Sequence, residues 1–230
     1  MCGDSFTYGG ELDDRTLSWP NLLANRMNAT LNDTSQRGSS NQRIVYHTTK
    51  HFANNYDLYI IAWSEYARFT FYKSDNDLET AFTPSLANEI YEKESYFKDW
   101  GKTLYKHWYN ELFAFKQWLQ QIILLQNLLR DRKVIMLNTF PNNLEHWLAD
   151  ESEFISSVKH LINFNLMNDE QILAEHKEIQ YYINLIDTSI FYKWRKFFIA
   201  QLCIDHEVGP GGHFLDAGHA KMAKLIYDYA

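Results

Sequence analysis

The amino-acid sequence predicts an α/β layer fold with a mostly parallel sheet, and two observations predict it. Short apolar runs of strand length alternate with longer stretches of helical period. The 230 residues, 46% of them hydrophobic, suffice to bury one substantial core, and no repeat, low-complexity tract or Pro/Gly-rich linker divides them. One domain over residues 1–230 is therefore expected.

The elements follow in chain order. Ser18-Trp19-Pro20 opens a first helix, with Ser18 as cap and Pro20 in the first turn. Leu22, Leu23, Arg26 and Met27 give it a modest apolar face. Residues 57–63, DLYIIAW, form a predicted strand. Residues 69–101 are rich in Tyr, Phe, Glu and Lys with a weak helical period. They read as a loop or helical insertion which, with the helix that follows, occupies about 69–131. Such an insertion is a lid, a substrate wall lined by Phe69, Phe71, Tyr72 and Trp100, or a surface decoration. From about Leu104 to Leu129, Trp108, Leu112, Phe115, Leu119, Ile122 and Leu129 recur at three- and four-residue steps, the stripe of a core-facing helix. Residues 133–139, KVIMLNT, and 181–187, YYINLID, are two further predicted strands. Between them Asn168 or Asp169 caps a helix carrying Ile172, Leu173 and His176. A last helix holds Met222, Leu225 and Ile226. Chemistry in such sheets gathers beyond the carboxyl ends of strands, where Ser64, Glu65, Asn138 and Asp187 stand.

Charge and composition narrow the function. The net charge of −7, without a basic stripe, argues against a nucleic-acid partner. Arg130, Arg132 and Lys133 read as the cationic end of a helix. Cys2 and Cys203 are too far apart in sequence for a disulfide framework or metal knuckle, which suggests a reducing compartment. No apolar run is long enough to span a membrane and no signal peptide is visible, so a cytoplasmic protein is expected. The sequons at Asn28 and Asn32 are then accidental. No cofactor or metal motif stands out.

Three short segments carry chemistry. Gly3-Asp4-Ser5-Phe6-Thr7-Tyr8-Gly9 places a serine at a helix start, where its hydroxyl is exposed and its amide can face an oxyanion. Arg37-Gly38-Ser39-Ser40-Asn41 offers a glycine amide and a carboxamide donor. Gly211-Gly212-His213-Phe214-Leu215-Asp216-Ala217-Gly218-His219 places a histidine in a glycine-rich loop before the last helix, suited to a general base. Taken singly, each is an ordinary turn or cap.

Together they resemble the SGNH (GDSL-type) hydrolase family, and the resemblance covers both ends of the chain and the order of elements between. SFTYGGEL, SWPNLLA and GSSNQRI are similar to a subgroup common in tailed phages and marine bacteria. The resemblance implies a flavodoxin-like three-layer α/β/α sandwich and a serine esterase acting on small, carbohydrate or lipid esters. It assigns Ser5 as nucleophile, His213 as base, and the amides of Ser5 and Gly38 as the oxyanion hole. Three departures accompany it. Tyr66 stands where the family has an oxyanion-hole Asn, leaving Asn41 or Arg68 to substitute. Pro210 stands where the triad acid belongs, leaving Asp205, Glu207 or Asp216, of which Asp216 is assigned to the site, or a Ser–His dyad aided by a backbone carbonyl. Only Met1 and Cys2 precede Gly3, so the first strand is expected to be short or missing and Ser5 loosely held.

Three rivals remain at this stage. Cys2 would be an N-terminal nucleophile once Met1 is removed. His213, Asp216 and His219 would form a metal site. The fold would persist as a catalytically decayed binding or virion-associated protein.

Overall fold

The computed structural model describes residues 1–72, 79–82, 99, 101–142, 144–159 and 167–230. Its first two helices are α1 (Ser5–Tyr8) and α2 (Trp19–Met27), followed by α3 (Asn41–Lys50). Strand β1 (Tyr59–Trp63) leads into the antiparallel pair β2 (Phe69–Tyr72) and β3 (Glu79–Phe82). Next come α4 (Glu111–Leu128), strand β4 (Val134–Asn138), and α5 (Leu144–Trp147). The chain ends with α6 (Glu151–Val158), α7 (Asp169–Asn184), α8 (Leu202–Asp205) and α9 (Asp216–Tyr229).

β1 and β4 pair in parallel, from Tyr59 opposite Val134 to Trp63 opposite Asn138. The protein is thus α/β with a small parallel sheet. β1 is buried along its whole length, which explains why its sequence is apolar without alternation. The pleat still sorts its side chains. Tyr59, Ile61 and Trp63 enter one core with Met136, Ile44 of α3 and the inner face of α4. Ile60 and Ala62 enter a second core with Ile135, Leu137, Leu23 of α2, and Met222 and Ile226 of α9. α9 packs on α2 in this second core. Residues 57–63 and 133–139 were expected to be strands, and each contains one.

The third expected strand, 181–187, is not one. Its first four residues are the last turn of α7. A capping box between Asn168 and Gln171 starts this helix, and Ile172, His176 and Ile179 then recur on its buried face. A local apolar run does not break a helix already propagating through it. The next neighbour of β4 is instead Phe191, bridged in parallel to Met136, with Tyr192 N–H donating to Met136 O at 2.9 Å.

The insertion also differs from expectation. Its first described part is the β2–β3 hairpin rather than a helix. The remainder of 69–101, including Trp100 and the side chains of Phe71 and Tyr72, lies largely outside the described residues. The long helix begins at Glu111, not Leu104. Leu104–Trp108 form a separate π-helical turn, Tyr109 is extended, and Asn110 caps α4 by accepting from Phe113 N–H. Trp108, expected in the core stripe, is therefore 78% exposed, whereas Leu112, Phe115, Leu119, Ile122 and Leu129 are buried.

The expectation of a loosely held Ser5 is overturned. Cys2 N–H donates to Ile60 O at 3.0 Å and Cys2 O accepts from Ala62 N–H at 2.9 Å. On the opposite edge Met1 O accepts from Thr34 N–H at 2.9 Å and Gly3 O from Gln36 N–H at 3.2 Å. Residues 1–3 are thus bonded to β1 on one side and to residues 34 and 36 on the other, which meets the demand of buried backbone for partners with very few residues. Gly3 is required by the closeness of this packing, since a Cβ there would lie 2.3 Å from Thr7 Oγ1. Ser5 itself is only 8% exposed.

Candidate active site

Ser5 is positioned by a short, fully specified turn of helix. Asp4 caps α1 through its carboxylate, which accepts from Phe6 N–H at 3.1 Å, an interaction typically worth about 1 kcal/mol. Asp4 is wholly buried and also accepts from Ser64 Oγ at 2.9 Å, with Arg68 Nη1 at 3.6 Å. Burial pushes its carboxyl up, against the pull of Arg68, Ser64 and the Phe6 amide. Gly9 ends α1 with φ of 75°, and Gly10 N–H donates to Ser5 O at 2.9 Å. The chain therefore doubles back, and Glu11 returns to the neighbourhood of Ser5.

That return completes a hydrogen-bonded line of three side chains. Ser5 Oγ lies 2.7 Å from His213 Nε2, and His213 Nδ1 lies 2.9 Å from Glu11 Oε2. Glu11 is itself held from beneath. Its two oxygens accept from Gly211 N–H at 2.5 Å and His213 N–H at 2.8 Å. Gly209 and Gly211 make this approach possible, since a Cβ on either would press on the carboxylate at 2.7 and 3.2 Å. Burial alone would raise the Glu11 carboxyl, but the Gly211 and His213 amides and the imidazole outweigh it and hold it below its ordinary value. An ionised carboxylate on Nδ1 fixes the tautomer in which Nδ1–H donates and Nε2 accepts the Ser5 hydroxyl proton. Phe6 packs on the imidazole with centroids 4.5 Å apart and Phe214 packs on Phe6, giving the ring an apolar seat.

The structure thus brings Ser5 and His213 together, and the carboxylate that meets the imidazole is Glu11, not Asp216 as expected. Both nitrogens of His213 are engaged by Ser5 and Glu11, and Asp216 instead opens α9 as its first residue. An acidic residue in a first helical turn favours the helix dipole, which is an adequate account of it. Glu11 was missed because it lies far from His213 in sequence. The signal available was a carboxylate directly after the Gly9-Gly10 reversal.

The expected oxyanion donors separate. Gly38 sits at φ of 72° in the turn that follows Gln36, whose amide is bonded to Gly3 O, two residues before Ser5. Among the described residues the amides of Ser5 and Gly38 have no acceptor. Asn41 is different. Its Nδ2 donates to Ser64 O at 3.2 Å and its Oδ1 accepts from Ser64 N–H at 2.8 Å. The carboxamide clips the start of α3 to the end of β1, satisfying backbone that has run past the ladder, and is not offered to a substrate. Tyr66 is likewise committed, its phenol donating to Glu111 Oε1 at 2.7 Å.

The two rival chemistries lose their geometry. The Cys2 thiol is buried in the first core, facing Ile44 O at 3.7 Å, and burial raises its pKa. His219 Nδ1 accepts from Trp19 N–H at 3.1 Å, away from His213, and no group of three or more potential metal ligands occurs among the described residues. Among the described residues no helix is long and apolar enough to cross a membrane. Comparison with family models, curated proteins and solved structures found no match for this chain.

Proposed function

We propose that this chain is a serine hydrolase of the SGNH type that cleaves a carboxylic ester through an acyl-enzyme on Ser5. The observation that carries the reading is the continuous hydrogen-bonded line from Ser5 Oγ through His213 to Glu11, at 2.7 and 2.9 Å. A serine within bonding reach of an imidazole whose far nitrogen is oriented by a carboxylate is the arrangement that activates a hydroxyl.

The chemistry follows from those contacts. His213 Nε2 takes the Ser5 proton as Oγ bonds to the ester carbonyl carbon. The carbonyl oxygen becomes an oxyanion facing the amides of Ser5 and Gly38. His213 then returns the proton to the departing alkoxide, leaving acyl-Ser5 and free alcohol. Water, deprotonated by the same imidazole, attacks the acyl carbon; the bond to Ser5 Oγ then breaks, the acid leaves, and His213 returns its proton to Ser5. Each oxyanion donor in such a site is worth about 3 kcal/mol.

The fold supports the same reading. Counting the hydrogen-bonded segments beside the two strands gives the order 32–36, 1–3, β1, β4 and Phe191, which matches the flavodoxin-like order 2-1-3-4-5. Apolar cores on both faces of β1 and β4 fit a three-layer sandwich. Ser5, two residues beyond segment 1–3 and beside its boundary with β1, then lies at the switch point where such sheets bind ligands. The test is a fluorophosphonate probe with the adduct located by mass spectrometry. Labelling at Ser5 that disappears in His213→Ala is the expected result. Folded protein that takes no label at Ser5 sinks the hydrolase reading and leaves a binding protein in its place.

A further inference from the structure

The turn that carries the Gly38 amide also carries a cation. Arg37 directly precedes Gly38, and Ser39 N–H donates to Gln36 O at 3.3 Å to close the turn around both. Arg37 is exposed, yet its guanidinium stands beside Ser5. A Cβ placed on Gly10 would lie 3.3 Å from Ser5 Cβ and 3.6 Å from Arg37 Nε. One methyl group there would touch both side chains, so glycine at position 10 leaves the gap between them open.

Two features separate Arg37 from an ordinary solvated arginine. The first is that it is seated. Its Cζ lies 6.0 Å from the centre of the ring of Tyr8, the last residue of α1, and the same ring holds Arg15 at 3.5 Å. The helix that begins at Ser5 therefore ends by orienting the guanidinium. The second is that its charge is unanswered. Asp33 pairs with Arg15 at 3.5 Å, whereas the Arg37 side chain makes no ion pair and no hydrogen bond among the described residues. The chain carries 29 acidic residues against 22 basic ones, so a cation does not go unpaired for want of acids. Glu11, next to Gly10, is committed to His213 and to two loop amides. The amides of Ser5 and Gly38 and the Arg37 guanidinium are thus three donor groups without acceptors at one site. The two amides suit the oxyanion of the reaction, and the guanidinium is left for a second group of the substrate.

We infer that Arg37 is a specificity-determining residue that binds an anionic group, a carboxylate or a phosphate, carried by the ester that Ser5 attacks. A guanidinium offers its N–H groups as a planar fork that the oxygens of such an anion match two at a time, through charge-assisted bonds. A neutral ester leaves Arg37 to water. The assignment of the anion to an ester rests on the hydrolase reading; the binding of the anion does not.

The experiment separates the two with three methyl esters of similar length: monomethyl succinate, methyl 3-phosphonopropionate and the neutral dimethyl succinate. Each is titrated into the Ser5→Ala protein and followed by NMR at low ionic strength. At least one of the two anions should bind about fivefold more tightly than dimethyl succinate, and the tighter of them tells carboxylate from phosphate. Adding Arg37→Gln, or Arg37→Met should the first fail to fold, should bring the preference to within about twofold, with folding checked by circular dichroism. Equal affinities, or binding of none of the three, overturn the inference, as does a preference that survives loss of the guanidinium in folded protein. Since Ser5→Ala cannot turn over an ester, failure here says nothing against labelling of Ser5, and failure of labelling says nothing against anion binding.

Discussion

His213 and His219 stand six residues apart at the same end of the chain, yet the structure puts them to opposite uses. His213 lies in the glycine-rich loop, its Nδ1 donating to Glu11 and its Nε2 facing Ser5. His219 lies in α9, 1% exposed, and its Nδ1 accepts from Trp19 N–H. That amide is at the first position of α2, where the helix supplies no acceptor of its own and Ser18 makes no side-chain cap. The two rings therefore carry their protons on opposite nitrogens. Burial, and then the proximity of His213, lower the His219 pKa to about 4, so it stays neutral where an exposed imidazole would titrate. The lesson is that histidine chemistry is set by what faces Nδ1: a carboxylate makes a base, and a backbone amide makes a buried cap.

The largest expected effect tests the first half of that contrast. Ser5→Ala and His213→Ala should each lower kcat for an activated ester by about 10⁴-fold or more, and the double variant should cost no more than either single one. Additive losses would mean that the two side chains do not act as a unit. Next comes the acid. Glu11→Gln should lower kcat by about 10²- to 10⁴-fold, since the neutral amide no longer selects the working tautomer. Asp216→Asn should leave kcat within about twofold, because its place is the first turn of α9. A reversed ranking of these two would break the assignment of Glu11.

The second half of the contrast is tested by stability. Between pH 6.5 and about 4, the unfolded chain protonates at His219 while the folded chain does not. The unfolded state binds more protons, so stability falls as pH is lowered through that window, by about 3 kcal/mol in full. Urea denaturation across the window should show this slope in the parent and a shallower one in His219→Gln, whose amide oxygen can still accept from Trp19. Equal slopes would show that His219 is not the titrating group. The smallest effect concerns the loop. Gly209→Ala places a methyl 2.7 Å from Glu11 Oε1. It should lower kcat by about tenfold through displacement of the carboxylate, with the circular dichroism spectrum unchanged.

Ser5 and His213 were legible because each sits in a local pattern: a glycine-flanked serine before a helix, and a histidine in a glycine loop before another. β1 and β4 were legible for a similar reason, since strands buried on both faces are unbroken apolar runs. The run at 181–187 looked alike and was misread, because a short apolar run does not distinguish a strand from the end of a capped helix. The amino-acid sequence by itself marked Ser5 and His213 as candidates, the strands β1 and β4, and the buried stripe of α4 apart from Trp108. Only the tertiary structure decided that Glu11 meets His213, that Asn41 binds Ser64, and that residues 1–3 are bonded on both edges. The physical reason is range. Glu11 and His213 are separated by 202 residues, and a contact between them leaves no period, cap or turn signal at either position. It exists because the Gly9-Gly10 reversal and the Gly209–Gly212 turn are pressed together by packing of α2 against α9.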